Sequence, residues 1–401
     1  MADVRLSDEH DRLQVMANAS RDCKLRASAS YGNLKNSSMS TLLLDSSIRP
    51  CYYLLQILGM WRPKRQITNK NIEIALKVYE WITFFIWLVS LIAVMSLDFI
   101  HYGFAVRKIH FADILNSIPT CLNLLCPFVF TRVYLRRGQF LRLVFSVQHH
   151  SILYRKKLRR KAILYTIVSY TLWLLGGTFF FFHWTPFFSR PWQYVIYTVV
   201  ILYTTGWWAV WLSIYAFVCD VHCLQVEILN ESIRNRNVSL VNVLDEHQRL
   251  RGFLERTQKD FNLIISFAVS YHIFDIIVFS FAYFDQAFGK NYKLWQYLLG
   301  VAFDLITILI KLFPPALVAA AVHCSITESS KRCHVTLDVH DLPQDAMQLF
   351  QYMVSCEPDM GLKILGIRIT IEIVGTILMT LATGCVSFVA FIVPRLINDT
   401  M

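Results

Sequence analysis

Charge is scarce in this chain. Asp, Glu, Lys and Arg make up 17% of its 401 residues, while 55% are hydrophobic. An average soluble domain carries about 25% charged residues. A water-facing surface needs more charge than this, and a disordered chain would have far less apolar surface to bury, so both of those classes are excluded. The first 40 residues contain no apolar run of leader length, so the first membrane-length run is expected to stay in the protein. The chemistry-bearing motifs GxxxxGKS/T, GxGxxG, HExxH and GxSxG are all missing, and with them the phosphate cradles and activated nucleophiles they build. No catalysis and no cofactor are expected. Ten cysteines are present, with Cys219 and Cys223 flanking His222. No second Cys/His pair follows at finger spacing, so these read as reduced, structural thiols. His272 and Asp275 share a helix face but have no third ligand nearby, so no metal is expected.

What is abundant is long apolar sequence. A membrane span needs about 20 mostly apolar residues, and seven stretches qualify: about 75–98, 112–135, 162–183, 193–219, 262–284, 295–322 and 369–393. Runs of this length satisfy their backbone in lipid as helices. The fold class expected is therefore an all-α membrane protein with seven transmembrane helices.

The loops set the orientation. Residues 136–161, between the second and third runs, hold nine Lys/Arg and no acid, which places them in the cytosol by the positive-inside rule. Two spans separate them from residues 1–72, which are then cytosolic too; eleven Lys/Arg against six acids agree. The net charge of +11 is thus a topology signal beside a membrane rather than a nucleic-acid surface. A lipid or partner site in 136–161 is the other reading of the same basic run. The N-terminus is expected inside and the C-terminus outside, opposite to a G-protein-coupled receptor. Asn18-Ala-Ser20 and Asn237-Val-Ser239 match the glycosylation pattern but fall on the cytosolic side.

Residues 220–261 carry seven acids and six Lys/Arg, with apolar positions at helical spacing. They read as helical extensions of the fourth and fifth spans, and 345–366 reads in the same way. These are surface helices or an intracellular anchor where subunits meet.

Ionisable residues inside spans are costly and are default functional candidates: Asp113, Asp275, Asp304 and Lys311, the last two sharing a face. The outer halves of the spans are rich in aromatics, including Trp173, Phe180, Trp184, Tyr194, Tyr197, Phe281 and Trp295. Interfacial anchoring and bundle packing account for such a pattern; so does a small-molecule pocket lined by rings and a few polar groups. The last span carries Thr376, Thr380, Thr383, Ser387 and Ala390 at spacings of 4, 3, 4 and 3. That small, hydroxyl-bearing stripe suits tight helix packing or a water-lined pore.

The run Thr383-Gly-Cys-Val-Ser387-Phe-Val-Ala390-Phe391 resembles the last-span signature of the insect gustatory receptor family, which reads Thr-Tyr, five apolar residues, Gln-Phe. Thr383 and Phe391 match; Gly384 stands for Tyr and Ala390 for Gln. Leu54 to Pro63, the basic loop 136–161, the long fourth–fifth connection and Leu362–Gly366 are also similar to the family, and the resemblance runs from about residue 42 to 396. It implies seven spans with the N-terminus inside and a ligand-gated cation channel, usually a tetramer, in the plasma membrane of a sensory neuron. The implied partners are a small-molecule tastant, membrane lipid, permeant cations and related receptor subunits in a homotetramer or heterotetramer, with no nucleic acid. The resemblance assigns Thr383, Ser387, Ala390 and Phe391 to the pore and gate. Asp113, Trp173, Phe180, Trp184, Tyr194, Tyr197, Phe281, Trp295 and Asp304 become candidates for the ligand pocket. The domains expected are a cytosolic segment 1–72 (1–40 flexible), a six-helix ligand-binding bundle with cytosolic extensions at 73–322, a cytosolic helix and pore-lining span at 323–396, and an outer tail at 397–401. A bitter compound is slightly favoured over a sugar, because sugars need several polar partners. Ala390, which lacks the amide, raises the alternative of a non-conducting accessory subunit. Odorant-receptor-type subunits and metabotropic seven-span receptors are the remaining alternatives.

Overall fold

Runs of apolar residues with little Gly or Pro inside them favour continuous helix, and the computed structural model of the chain consists almost wholly of long helices. It describes residues 70–105, 125–134, 143, 152–184, 191–234, 239–288, 294–337 and 343–398. The segment 1–69, the tail 399–401 and Asp113 lie outside the described residues. The helices are α1 (Lys70–Ala105), α2 (Leu125–Tyr134), α3 (Ile152–Trp184), α4 (Pro191–Arg234), α5 (Leu240–Phe288) and α6 (Leu294–Leu337). After them come α7 (Gln344–Cys356), a short 3-10 turn (Glu357–Asp359), the strands β1 (Lys363–Ile364) and β2 (Ile367–Arg368), and α8 (Ile371–Asn398).

Short connections make α3, α4, α5 and α6 run alternately up and down. Helices of 44, 49 and 44 residues are about 66–74 Å long, roughly twice the ~30 Å hydrocarbon thickness of a bilayer. A helix of this length would extend well beyond a membrane at one end. Charge shows which end. Lys157 on α3 pairs with Glu227 on α4 at 2.6 Å, and Lys161 with Asp220 at 3.4 Å. Both members of the first pair are about half exposed, so this level of the bundle is aqueous. The same end carries the α4–α5 connection and α7.

The core forms around α4, which packs against α1, α3, α5 and α6. An aromatic column runs down it. Trp87 of α1 stacks on Phe128 of α2 at 4.1 Å, and Phe128 meets Trp207 of α4 edge-on at 5.1 Å. Lower down, Trp211 stacks on Tyr215, which touches Phe261 of α5 at 5.0 Å, and Phe261 meets Tyr134 at 4.7 Å. Pairs of this kind contribute about 0.5–1.5 kcal/mol beyond burial.

Two helices are long and apolar enough to cross a membrane among the described residues. They differ in surroundings. The window in α1, Ile74–Ala93, is 6% buried, and that in α4, Gly206–Arg234, is 83% buried. The first turns Ile82, Phe85, Val89 and Ile92 outward, a face that suits hydrocarbon rather than water. The second is a core helix of the bundle.

Residues 345–366 do not form one helix as their pattern predicts. Ala346, Phe350, Met353 and Cys356 bury one face of α7, and the helix then stops at Glu357-Pro358. The chain turns back as an antiparallel hairpin with Lys363 opposite Arg368 and Ile364 opposite Ile367. Its two-residue turn has Leu365 at φ 52° and Gly366 at φ 81°. Both central residues of a type I′ turn need positive φ, which Gly accepts freely and Leu does not. The apolar spacing looks helical because β1 and β2 are only two residues each.

α6 continues unbroken through residue 322 and contains Pro314-Pro315. α8 follows the hairpin and packs against α6. From Gly375 onward every α8 residue whose burial is described is exposed.

Candidate functional site

Three places can carry function: α8, the bundle end away from α7, and the charged base around α7.

On α8 the spacing of 4, 3, 4 and 3 residues aligns Thr376, Thr380, Thr383, Ser387 and Ala390 along one face, and all five are exposed. Thr376 Oγ1 donates to the Glu372 carbonyl at 2.9 Å, and Thr380 Oγ1 donates to the Thr376 carbonyl at 2.8 Å. Each hydroxyl proton is thus used inside the helix, and what these two threonines offer outward is oxygen lone pairs. That chemistry suits water or a cation. Apolar residues flank the stripe, with Met379 69% and Val386 70% exposed. For Phe391 the helix position alone is described.

The pocket candidates fall at one end of the bundle. Phe180 and Trp184 lie in the last turns of α3, Tyr194 and Tyr197 in the first turns of α4, Phe281 near the end of α5, and Trp295 and Asp304 near the start of α6. The up-and-down course of the helices brings these four ends together. For these residues the helix position alone is described. Trp173 is described fully. It is half-buried, meets Tyr170 edge-on at 5.7 Å, and lies over Gly206 of α4. A Cβ at Gly206 would stand 3.3 Å from the indole, so glycine there lets the ring approach the α4 backbone. Trp173 serves helix packing at the edge of the candidate region.

The base holds several buried polar groups. His222 of α4 is fully buried, with Nε2 at 2.8 Å from Thr257 Oγ1 of α5 and Nδ1 at 3.0 Å from Gln225 Oε1. His247 of α5 is also buried, and its Nδ1 has no hydrogen-bond partner among the described residues. Burial first, and then the Arg251 charge, pushes His247 down to about 4. It lines a cavity of about 20 Å³ with Ser329, Ser330, Cys333, Met353 and Glu357, room for about one water molecule. Burial raises the Cys333 thiol to about 11, which keeps it protonated and inert. Among the described residues, no group of three or more His, Cys, Asp or Glu could hold a metal ion.

Gln258 of α5 grips the hairpin. Its Nε2 donates to the Lys363 carbonyl and its Oε1 accepts from the Lys363 N–H, both at 2.6 Å, while Nε2 also donates to Asn262 Oδ1 at 3.2 Å. One side chain thereby satisfies both backbone groups on the open edge of β1. A lone Gln on a mixed helix face gives no signal in sequence.

No protein-family model and no curated protein sequence matches the chain. Solved structures do. The insect olfactory receptor OR5 from Machilis hrabei in complex with eugenol superposes with a TM-score of 0.57 at 12% identity, covering 88% of this chain and 99% of that one. A second structure of the same receptor gives 0.53 at 12% identity, over 86% and 98%. The chain thus shares the fold of this receptor over 88% of its length.

Proposed function

We propose that this protein is a subunit of a chemosensory, ligand-gated cation channel, a multi-pass protein of the sensory-neuron plasma membrane. The observation that carries the reading is α8. It is apolar, among the described residues it is buried only near its base, and it bears an exposed face of hydroxyl oxygens. In a tetramer, four copies would enclose a path lined by Thr376, Thr380, Thr383 and Ser387, with rings of Ala390 and Phe391 at the gate. Closure by an apolar ring works by dewetting. The likeness to a receptor solved with eugenol supports a small organic ligand, and the candidate region around Trp184 and Asp304 is its proposed site. Ligand binding opens the channel only to the extent that it favours the open state over the closed one.

The finer reading is a gustatory receptor with a bitter, partly apolar ligand. Thr383 and Phe391 of the last-span signature support taste. A second reading, an accessory subunit that conducts only with a related partner, rests on Gly384 and Ala390, which depart from that signature.

Whole-cell recording from cells expressing the chain alone tests both. Inward current on application of eugenol or a bitter panel, persisting under G-protein blockade, is the expected result. Current that requires co-expression of a related subunit selects the accessory reading. Silence in both settings, with surface delivery proven, overturns the proposal. An N-terminal tag reached from outside the cell would restore the metabotropic alternative.

A further inference from the structure

Among the described residues, α8 is attached to the rest of the chain near its first turns. It touches α6 directly, and it begins one residue after a short ladder of hydrogen bonds. Thr370 caps the helix: its Oγ1 accepts from Ile373 N–H at 3.3 Å, and its carbonyl accepts from Val374 N–H at 3.1 Å. The preceding residue, Ile369, donates its N–H to the Leu362 carbonyl at 3.2 Å. Leu362 adjoins Lys363, and Lys363 is held by Gln258 at both its N–H and its carbonyl. Leu362, Ile369 and Val374 are all buried at this junction. The result is a continuous path from α5 to the first turn of α8 through one amide side chain.

Geometry makes this joint stiff. A single hydrogen bond lets its partners pivot, whereas two bonds from one planar amide to one residue fix both distance and direction. The third bond, to Asn262 one turn along α5, holds the amide plane in place. α5 is also the helix whose far end carries the pocket candidate Phe281. It therefore reaches from the proposed ligand region to the hairpin without a break.

We infer that Gln258 is the positioning residue that ties α8 to α5, so that a displacement of α5 is transmitted to the start of the last helix. This rests on the channel reading for its functional consequence, but not for its structural content.

Hydrogen–deuterium exchange on the purified, ligand-free full chain tests the structural content. In Gln258→Leu, the amides of 361–378 should exchange at least about tenfold faster, while α7 and the rest of α5 keep their wild-type rates. In Gln258→Glu, which keeps the acceptor for Lys363 N–H but loses the donor to its carbonyl, the change should be intermediate. Wild-type rates across 361–378 in Gln258→Leu overturn the inference; faster exchange confined to 361–368, with α8 unchanged, overturns transmission. Loss of protection throughout the chain in Gln258→Leu would show misfolding, and Gln258→Glu then decides by the same criteria.

The functional arm uses eugenol, with binding measured separately on purified protein. With current normalised to surface protein, Gln258→Leu should cut the maximal evoked current about tenfold with the binding midpoint unchanged, a split that a smaller number of folded channels would not produce. An unchanged maximum overturns coupling. Silence of the wild type to eugenol and the bitter panel, alone and with a related subunit, would count against the channel reading, and the exchange result would still decide the joint.

Discussion

The lower half of α4 and the last helix α8 are both rich in apolar residues, but their surroundings are opposite. Gly206–Arg234 is 83% buried within the chain; Trp211, Tyr215 and Phe217 each stand 1% exposed, and polar residues such as His222 find partners. In α8, Val374 is buried, and beyond it every residue with described burial is exposed. Apolar sequence is therefore not one signal. In α4 it is satisfied by the chain's own core, whereas in α8 it must be satisfied by lipid or by other subunits. The hydroxyl face of α8 belongs against water or a partner rather than against lipid tails.

The contrast can be broken most strongly in α4. Trp211→Ala should cost about 3–5 kcal/mol, the usual range for emptying a buried large aromatic site, seen as a lower thermal midpoint of the detergent-purified protein. A loss below about 1 kcal/mol would contradict the core role.

Acid should act next, through His247. Its value is lowered from an ordinary 6.5 to about 4, so the folded base favours the neutral ring. Its contribution is fully present above pH 6.5 and is lost as pH falls from 6.5 through 4, by about 3 kcal/mol in total. Thermal melts at pH 7 and pH 4.5 should show wild type losing more stability than His247→Phe. Equal losses would show that this histidine is not the titrating group.

Phe391→Ala, at the proposed gate, should raise resting current several-fold without lowering the melting midpoint of single subunits. Unchanged leak in a conducting channel removes Phe391 from the gate. The smallest effect belongs to Met379→Ala: under about 0.5 kcal/mol for an isolated subunit, as for other surface changes. A clear loss that appears only in the assembled protein would locate Met379 in the contact between subunits.

The long helices were legible because their signal is one-dimensional. The apolar runs at 162–183, 193–219, 262–284 and 295–322 all lie inside α3 to α6, and the apolar spacing of 220–261 anticipated their extension into the base. The hairpin was not legible. Leu365 occupies a turn position where Asn or Gly gives the usual cue, so Gly361, Pro358 and Gly366 were the only punctuation, and apolar spacing outweighed them. The pocket candidates could be assigned to one end of the bundle by counting along helices. Which of their side chains meet is a matter of helix rotation, which aromatic content does not encode. Gln258 was invisible for a different reason: its role depends on a residue 105 positions away in the sequence.

The paired prolines of α6 have a mechanical consequence. Neither Pro314 nor Pro315 has an N–H, so the carbonyls of Ile310 and Lys311 lose their usual donors, and two consecutive rungs of the helix are absent. A helix about 66 Å long is weakest in bending there. Above the prolines, α6 carries Trp295 and Asp304; below them it is built into the base beside α7 and α8. Bending of α6 is therefore easiest at this level, whereas α5 has no proline between Leu240 and Phe288 and keeps every rung.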